Sequence, residues 1–326
     1  MEHVLVTGAG GFIGANLCDY FLNQGLRVTG IDVHYPQGLP HRDNESYRHT
    51  EGDFRNWEAM DGLLDDVNAV VHLASAHLDV SLPTSEYWDI NVHSLEPLLE
   101  LCEKKGVKRF VHVSSVGVYG ALTTLPADED TPLAPQSIYG ETKAEGEEVV
   151  RRFSERSGFP TAIVRPAWVY GRWCPRTRKL YRALRKRRFM LIGKCDNYRH
   201  PVYIKDLLES LRCALESDEA VGQTMIVGGN AAITTEELVA SYCKVFGLSP
   251  PPIRIPMWAG RLLATSVELA FRVIRKSPPI SRRTLEFFDT NNAFRIDKSV
   301  QLLGVKPAFD FESGLQDCRD WIVGNA

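Results

Sequence analysis

The stretch "VTGAGGFIGANL", residues 6–17, sets Gly8, Gly10, Gly11 and Gly14 within seven positions, directly after the apolar run "HVLVTG". Ordering glycine costs more backbone entropy than ordering alanine, so such a cluster marks a chain that turns sharply or lies close to another group. Residues 3–8 predict a strand and residues 11–24 a helix, so the glycines fall where a strand feeds a helix N-terminus. That end of a helix offers unpaired N–H groups and the positive end of its dipole, a seat for a pyrophosphate. Gly8, Gly11 and Gly14 have GxxGxxG spacing, which a glycine turn without a ligand can share.

The second predicted strand, "LRVTGIDV", carries Asp32, eighteen residues beyond Gly14. A carboxylate there accepts hydrogen bonds from adenosine ribose hydroxyls and repels a 2′-phosphate, which favours NAD over NADP. Further out the rhythm repeats. "YRHTEGDF" precedes a helix over 55–65, "AVVHLAS" a long helix over about 84–104, and "RFVHVSS" another over about 137–157, before "TAIVRPA". Near-continuous apolar strands alternating with helices describe a parallel sheet covered on both faces: a doubly wound α/β fold with right-handed crossovers.

After Arg165 the pattern changes. Residues 172–200 read as basic and irregular, "HPVYIKDL" and "QTMIVGG" as returning strands, and 234–247 as a helix. The prolines of "SPPPIRIP", 249–256, mark a stiff linker ahead of a long apolar helix near 257–275. The expected division is a dinucleotide-binding domain over 1–167, completed by about 201–230. A smaller, mainly helical substrate lobe takes 168–200 and 231–326.

At 326 residues, 44% hydrophobic and 24% charged, the chain has ordinary globular composition and the length for one large α/β unit or two lobes. A net charge of −3 gives the whole molecule no pull toward nucleic acid or anionic membranes. The seven scattered cysteines lack metal-ligand spacing and fit free thiols in a reducing compartment, with no metal. No segment approaches about eighteen uncharged apolar residues, so no membrane span is expected. The N-terminus enters a predicted strand without the regions of a signal peptide, and a cytoplasmic location is the expectation.

"TGAGGFIG" resembles the cofactor loop of the extended short-chain dehydrogenase/reductases, the NAD-dependent epimerase/dehydratase family, and the resemblance runs along nearly the whole chain. It implies a Rossmann fold whose loop (Gly8, Gly11, Phe12, Ile13 and Gly14) holds NAD. "GDFRN" is similar to the family's GD-x-R-D element and implies that Asp53 and Phe54 approach the adenine. "VVHLAS" resembles its HLAA strand, with Leu73, Ala74 and Ser75 beside the cofactor, and "NVHSLEPLLE" keeps the family's asparagine as Asn91. Ser94 and Leu95 replace the usual Gly-Thr there, so close packing of that helix is expected to differ.

"SIYGETK" places Tyr139 and Lys143 one helical turn apart on the same face. A cation beside a phenol favours the phenolate, which is the logic of acid–base catalysis. "FVHVSSVGVYG" resembles the family's SS-x-x-VYG strand, in which Ser115 hydrogen-bonds the substrate oxygen while Tyr139 moves the hydroxyl proton and Lys143 also binds the nicotinamide ribose. Sugar dehydratases of the family place Asp-Glu after that serine; Val116 and Gly117 stand here, which disfavours dehydration.

"IVRPAWVYG" is similar to the RP-x-N-VYG turn, with Trp168 where sugar-nucleotide enzymes often have asparagine. "YRHPVYIKDL" resembles the R-x-x-x-x-V-x-D element and puts Arg199 where a diphosphate is gripped. The tail resembles that of the 3β-hydroxysteroid dehydrogenase-like and dihydroflavonol reductase-like branch. The leading expectation is therefore a nucleotide-sugar epimerase or related sugar oxidoreductase, homodimeric through the helices near 84–104 and 137–157. Its rival is a dehydrogenase/reductase of a hydrophobic hydroxy compound. A non-catalytic NAD sensor would have no need of Ser115, Tyr139 and Lys143. Between Arg172 and Arg188 the chain carries only basic charges, read as a solvated face, or as a patch for an anionic substrate or peripheral membrane contact.

Overall fold

Each apolar run of the first half becomes a strand in the computed structural model, which describes residues 1–39, 41–77, 82–273 and 282–325. β1 (His3–Thr7), buried along its length, leads through the glycine loop into α1 (Phe12–Asn23). β2 (Arg27–Asp32), β3 (Tyr47–Glu51), α2 (Trp57–Leu63) and β4 (Ala69–His72) follow. Then come α3 (Thr84–Trp88), a π-helical turn over Asp89–His93, α4 (Leu95–Lys104), β5 (Arg109–Val113), α5 (Ile138–Ser157) and β6 (Thr161–Pro166).

The second half comprises β7 (Trp168–Tyr170), α6 (Pro175–Arg185), β8 (Leu191–Ile192), β9 (Tyr198–Arg199), β10 (Pro201–Tyr203) and α7 (Ile204–Glu216). After these lie β11 (Thr224–Val227), β12 (Ile233–Thr234), α8 (Thr235–Phe246), β13 (Arg254–Ile255) and α9 (Met257–Val273). α10 (Arg282–Asp289), α11 (Asp297–Leu303), α12 (Phe311–Asp317) and α13 (Arg319–Gly324) complete the described chain.

β3-β2-β1-β4-β5-β6-β11 form one sheet, and all its pairs are parallel. Both faces are covered, as the alternation of the strands requires. Val4, Val6, Val71, Val111 and Val164 enter one core cluster, while their neighbours Leu5, Val70, Phe110 and Ile163 enter the other. The strand order reverses between β1 and β4, so the crevice at their carboxyl ends is the topological switch point at which such sheets bind ligands. This is the expected doubly wound fold, with a mainly helical C-terminal region.

Three local expectations are corrected. The helix foreseen over 84–104 is broken by the π turn at Asp89–His93, because long-range contacts of Asn91 hold that turn out of register. Residues 172–200 are not irregular throughout: Pro175 opens α6, and Thr177, Tyr181 and Leu184 bury one helical face while the cations occupy the other. The proline linker is also built into the fold, since β13 pairs in parallel with β8. All seven cysteines are buried and unpaired, as expected.

Candidate active site

Gly8 ends β1 with φ of 73°, a left-handed conformation, and a Cβ there would come within 2.8 Å of the Ala74 backbone nitrogen. Glycine thus lets the first strand lie against Leu73–Ala74 across the switch point. Gly14 meets the carbonyl of Gly8 so closely that no side chain fits, which starts α1 directly on the loop. Gly11 caps α1 without a side-chain partner, and the N–H groups of Phe12, Ile13 and Gly14 have no acceptor among the described residues. These free donors at a helix N-terminus, one of them on the buried Gly14, fit the pyrophosphate of a dinucleotide.

Asp32 lies beside that loop. Its carboxylate accepts from the Gly10 N–H at 3.0 Å and the His34 N–H at 3.2 Å. Burial raises its pKa, against these backbone hydrogen bonds. Asp53 is engaged by Arg55 at 2.6 Å, which lowers its pKa, and Arg55 also reaches Glu86. Phe54 is buried against the ring of His72, 5.1 Å away, so its side chain is core. Leu73 and Ala74 are held to β1 by N–H donations to the Thr7 carbonyl and hydroxyl.

Asn91 is 2% exposed and fully employed. Its Oδ1 accepts from the Ser75 hydroxyl and the Ala76 N–H, and its Nδ2 donates to the Ala76 carbonyl and to Thr142 Oγ1. It therefore positions other residues, tying the 75–76 segment to the helix that carries Tyr139 and Lys143. The close packing left in doubt by Ser94 and Leu95 comes from Gly146 of α5, where a Cβ would stand 2.6 Å from the Asn91 carbonyl.

Ser137 caps α5 through the Gly140 N–H, two residues before Tyr139. Ser115, at the end of β5, accepts from the Gly117 N–H at 3.0 Å. A Cβ on Gly117 would lie 3.3 Å from Ser115 Oγ and 3.8 Å from Tyr139 Cε1, so the two hydroxyl-bearing residues converge over a position kept free of side chain. Burial raises the pKa of Tyr139, opposed by a hydrogen bond from Ser115 and by the charge of Arg176. The expected lowering toward working pH is thus not met, because desolvation outweighs the favourable contacts.

Lys143 is buried, with no ion pair among the described residues, and burial pulls its pKa down to about 8 against the pull of Glu147. Glu147 itself is held by Arg165 through two hydrogen bonds of 2.9 and 2.6 Å. A buried ammonium without a partner calls for acceptors, and ribose hydroxyls supply them, so Lys143 also fits a dinucleotide.

Two expected substrate residues sit differently. Trp168 packs with Tyr170 and Phe311 at ring distances of 6.3 and 6.2 Å. Arg199 does not present its fork for a diphosphate: Nη2 donates to the Glu286 carbonyl at 2.6 Å, Nη1 to Thr290 Oγ1 at 3.4 Å, and the group lies over Phe287. Glu286 of α10 and Thr290 just beyond it supply acceptors that the sequence spacing does not reveal, and the buried Nε has no partner among the described residues. Asp206, the acid of the same element, accepts from the N–H groups of Ala308 and Phe309 and anchors the C-terminal segment.

His77 and Arg176 were not foreseen. The His77 ring meets Tyr139 edge-on at 4.5 Å, and Arg176 Nη2 lies 3.1 Å from His77 Nε2. The only sequence signal was the basic run to which Arg176 belongs.

A glycine loop at the switch point of a parallel sheet, with Ser115, Tyr139 and Lys143 gathered beside it, defines the class: a doubly wound α/β fold of the dinucleotide-binding kind. The chain belongs to the NAD dependent epimerase/dehydratase family, whose model matches residues 4–228. It is 27% identical over 319 residues to N-acetyl-alpha-D-glucosaminyl-diphospho-ditrans,octacis-undecaprenol 4-epimerase of Escherichia coli O157:H7, covering 96% of this chain and 93% of that protein. It is equally 27% identical, over 339 residues, to a 3 beta-hydroxysteroid dehydrogenase/Delta 5-->4-isomerase of Mycobacterium tuberculosis, covering 99% and 91%. Among solved structures, UDP-glucuronic acid 4-epimerase from Bacillus cereus, in complex with UDP-glucuronic acid and NAD, superposes with a TM-score of 0.79 at 25% identity over the whole of both chains.

Proposed function

We propose that the protein uses NAD to oxidise and re-reduce a secondary alcohol of a nucleotide sugar, as an epimerase. The observation that carries the reading is the convergence of Ser115 and Tyr139 over Gly117, beside the buried, unpaired Lys143. In this reading Ser115 holds the substrate oxygen; Tyr139, as the phenolate that Ser115 and the charge of Arg176 favour, takes the hydroxyl proton and, as the phenol so formed, later returns it. Lys143 donates to the nicotinamide ribose, and the free N–H groups of Phe12, Ile13 and Gly14 seat the pyrophosphate. NAD, when bound, supplies the hydride chemistry. Val116 and Gly117 offer no proton-transfer group beside Ser115, which argues against a dehydratase. The epimerases among the relatives support the sugar class.

A second reading, net oxidation of a hydrophobic alcohol, draws on the Trp168–Tyr170–Phe311 cluster, on the engaged fork of Arg199 and on the steroid-dehydrogenase relative. The test is a panel of UDP-, GDP- and dTDP-sugars against sterol-like alcohols, followed by product analysis and by absorbance of reduced nicotinamide. Epimerisation gives a new sugar with no net absorbance change, and Tyr139→Phe loses about 10²–10⁴-fold in turnover. Stoichiometric reduced cofactor from a sterol-like alcohol, with every sugar inert, replaces the first reading by the second.

A further inference from the structure

α9 buries Gly260 and Ala264 and turns its other side to solvent. Trp258, Leu262 and Leu269 are 67%, 62% and 66% exposed. At 100° per residue these three positions lie within about 40° of one another, a single line roughly 16 Å long. Scattered exposed apolar residues need no explanation, but an aligned tryptophan and two leucines on one helix face do.

A second feature lies alongside. Arg185, Lys186, Arg187 and Arg188 close α6 and are all exposed, as is Lys194. None of the five forms an ion pair among the described residues, whereas Arg254 and Arg261 nearby are paired with Glu236 and Asp289. The short β8 that follows the cation run pairs with β13, Ile192 packs on Gly260, and Gly193 faces Met257. Three residues separate Arg188 from Ile192, a span of at most about 14 Å of chain, so the end of the cation run lies near the first turn of α9.

The dipole of α6 accounts for Arg185 and Lys186 in its last turn but not for Arg187. Arg187 is in the left-handed conformation, φ 53°, that ends the helix, with N–H donations from Arg187 to Leu184 and from Arg188 to Ala183. Glycine holds the corresponding left-handed position after α5, α8 and α11, as Gly158, Gly247 and Gly304. Arginine at this place after α6 keeps a cation at a backbone cost that glycine would avoid.

We propose that this combined surface docks the protein on an anionic lipid bilayer, with Trp258, Leu262 and Leu269 entering the interface and the Arg185–Arg188 run with Lys194 facing the headgroups. An apolar line flanked by unpaired cations is the chemistry of an interfacial helix. A second copy of this chain suits it less, because a two-fold contact through the same patch brings cation run against cation run. The inference holds whichever alcohol the active site takes.

The protein is sedimented with vesicles of phosphatidylcholine containing phosphatidylglycerol, and with vesicles of phosphatidylcholine alone. Binding to the anionic vesicles that weakens as salt is raised is expected, with little on neutral ones. Trp258→Ser with Leu262→Ser should lower partitioning roughly ten-fold or more at an unchanged melting temperature. Arg187→Gly with Arg188→Ser, which suits the left-handed turn, should lower it by a similar factor on anionic vesicles. The proposal fails if the unmodified protein ignores anionic vesicles, or if both pairs of variants bind as it does. It also fails if the Trp258/Leu262 variant sediments at a lower oligomeric state, which makes the face a contact between copies.

Discussion

Lys143 is held in a setting that disfavours its own charge, since burial brings its pKa down to about 8 while the unfolded chain keeps it near 10.4. Below pH 8 the ammonium is charged in both states and the folded state bears the cost; stability returns as pH rises from about 8 toward 10.4. A difference of this size corresponds to roughly 3 kcal/mol at pH 7. Lys143→Met, of similar length and apolar, is therefore expected to raise the urea midpoint of the cofactor-free protein while removing most turnover. An unchanged or lower midpoint would show that the cost is not there. Asp32 allows a second test at this scale. Asp32→Ala removes the acceptor for the Gly10 N–H as well as the proposed ribose contacts, each worth about 1–3 kcal/mol. Calorimetric titration should show NAD binding weakened by more than ten-fold and NADP binding much less, so that the preference for NAD narrows. Equal affinities for both cofactors in the unmodified protein would remove Asp32 from that role.

Among the elements, the join between the π turn and α5 decides how Tyr139 and Lys143 are held. Asn91 bonds Thr142, the residue next to Lys143, and its carbonyl lies where only Gly146 leaves room. Gly146→Val inserts a branched side chain into that contact, and overpacking of this kind costs about 1–3 kcal/mol. The expected result is that loss in stability together with a fall in kcat, read by urea denaturation and by turnover. Retained kcat in the destabilised protein would separate the join from catalysis. The join also marks where the sequence stopped being readable. Gly8, Gly11 and Gly14 are legible because their spacing and their proposed role lie within one loop, and Tyr139 and Lys143 because one helical turn relates them. Asn91 could be noticed but not understood, since its partner Thr142 is 51 residues away. The helical period of Thr177, Tyr181 and Leu184 was hidden among cations, and the direction of Arg199 is set by α10, 87 residues further on.

Over the whole molecule, the same parallel sheet that places the site also buries two imidazoles beneath it. His72 and His112, on the adjacent strands β4 and β5, stack at 5.7 Å. Burial, with the Lys143 charge adding to it, lowers His72 to about 3 and His112 well below its ordinary value. His72 has the Thr7 hydroxyl at 2.8 Å, while neither ring nitrogen of His112 has a hydrogen-bond partner among the described residues. Both are therefore neutral in the folded protein across the neutral and mildly acidic range. Their folded pKa values are depressed, so their contribution is complete above the unfolded value near 6.5 and is lost as pH falls, when the unfolded chain takes up protons that the folded one refuses. Each contributes about 1.4 kcal/mol of lost stability per pH unit below that point, so the pair gives roughly 2–3 kcal/mol per unit. Carboxylates already held below their usual range, such as Asp53 beside Arg55, enter only at lower pH. The urea midpoint should accordingly be level between about pH 7 and 8, below the range in which Lys143 acts, and drop steeply between pH 6.5 and 5.5; His3, His41 and His200, also lowered by burial, share that slope, so it should become shallower in His112→Leu. A midpoint that stays level through this interval would mean that the two rings accept protons in the folded state, against the sealed packing between β4 and β5.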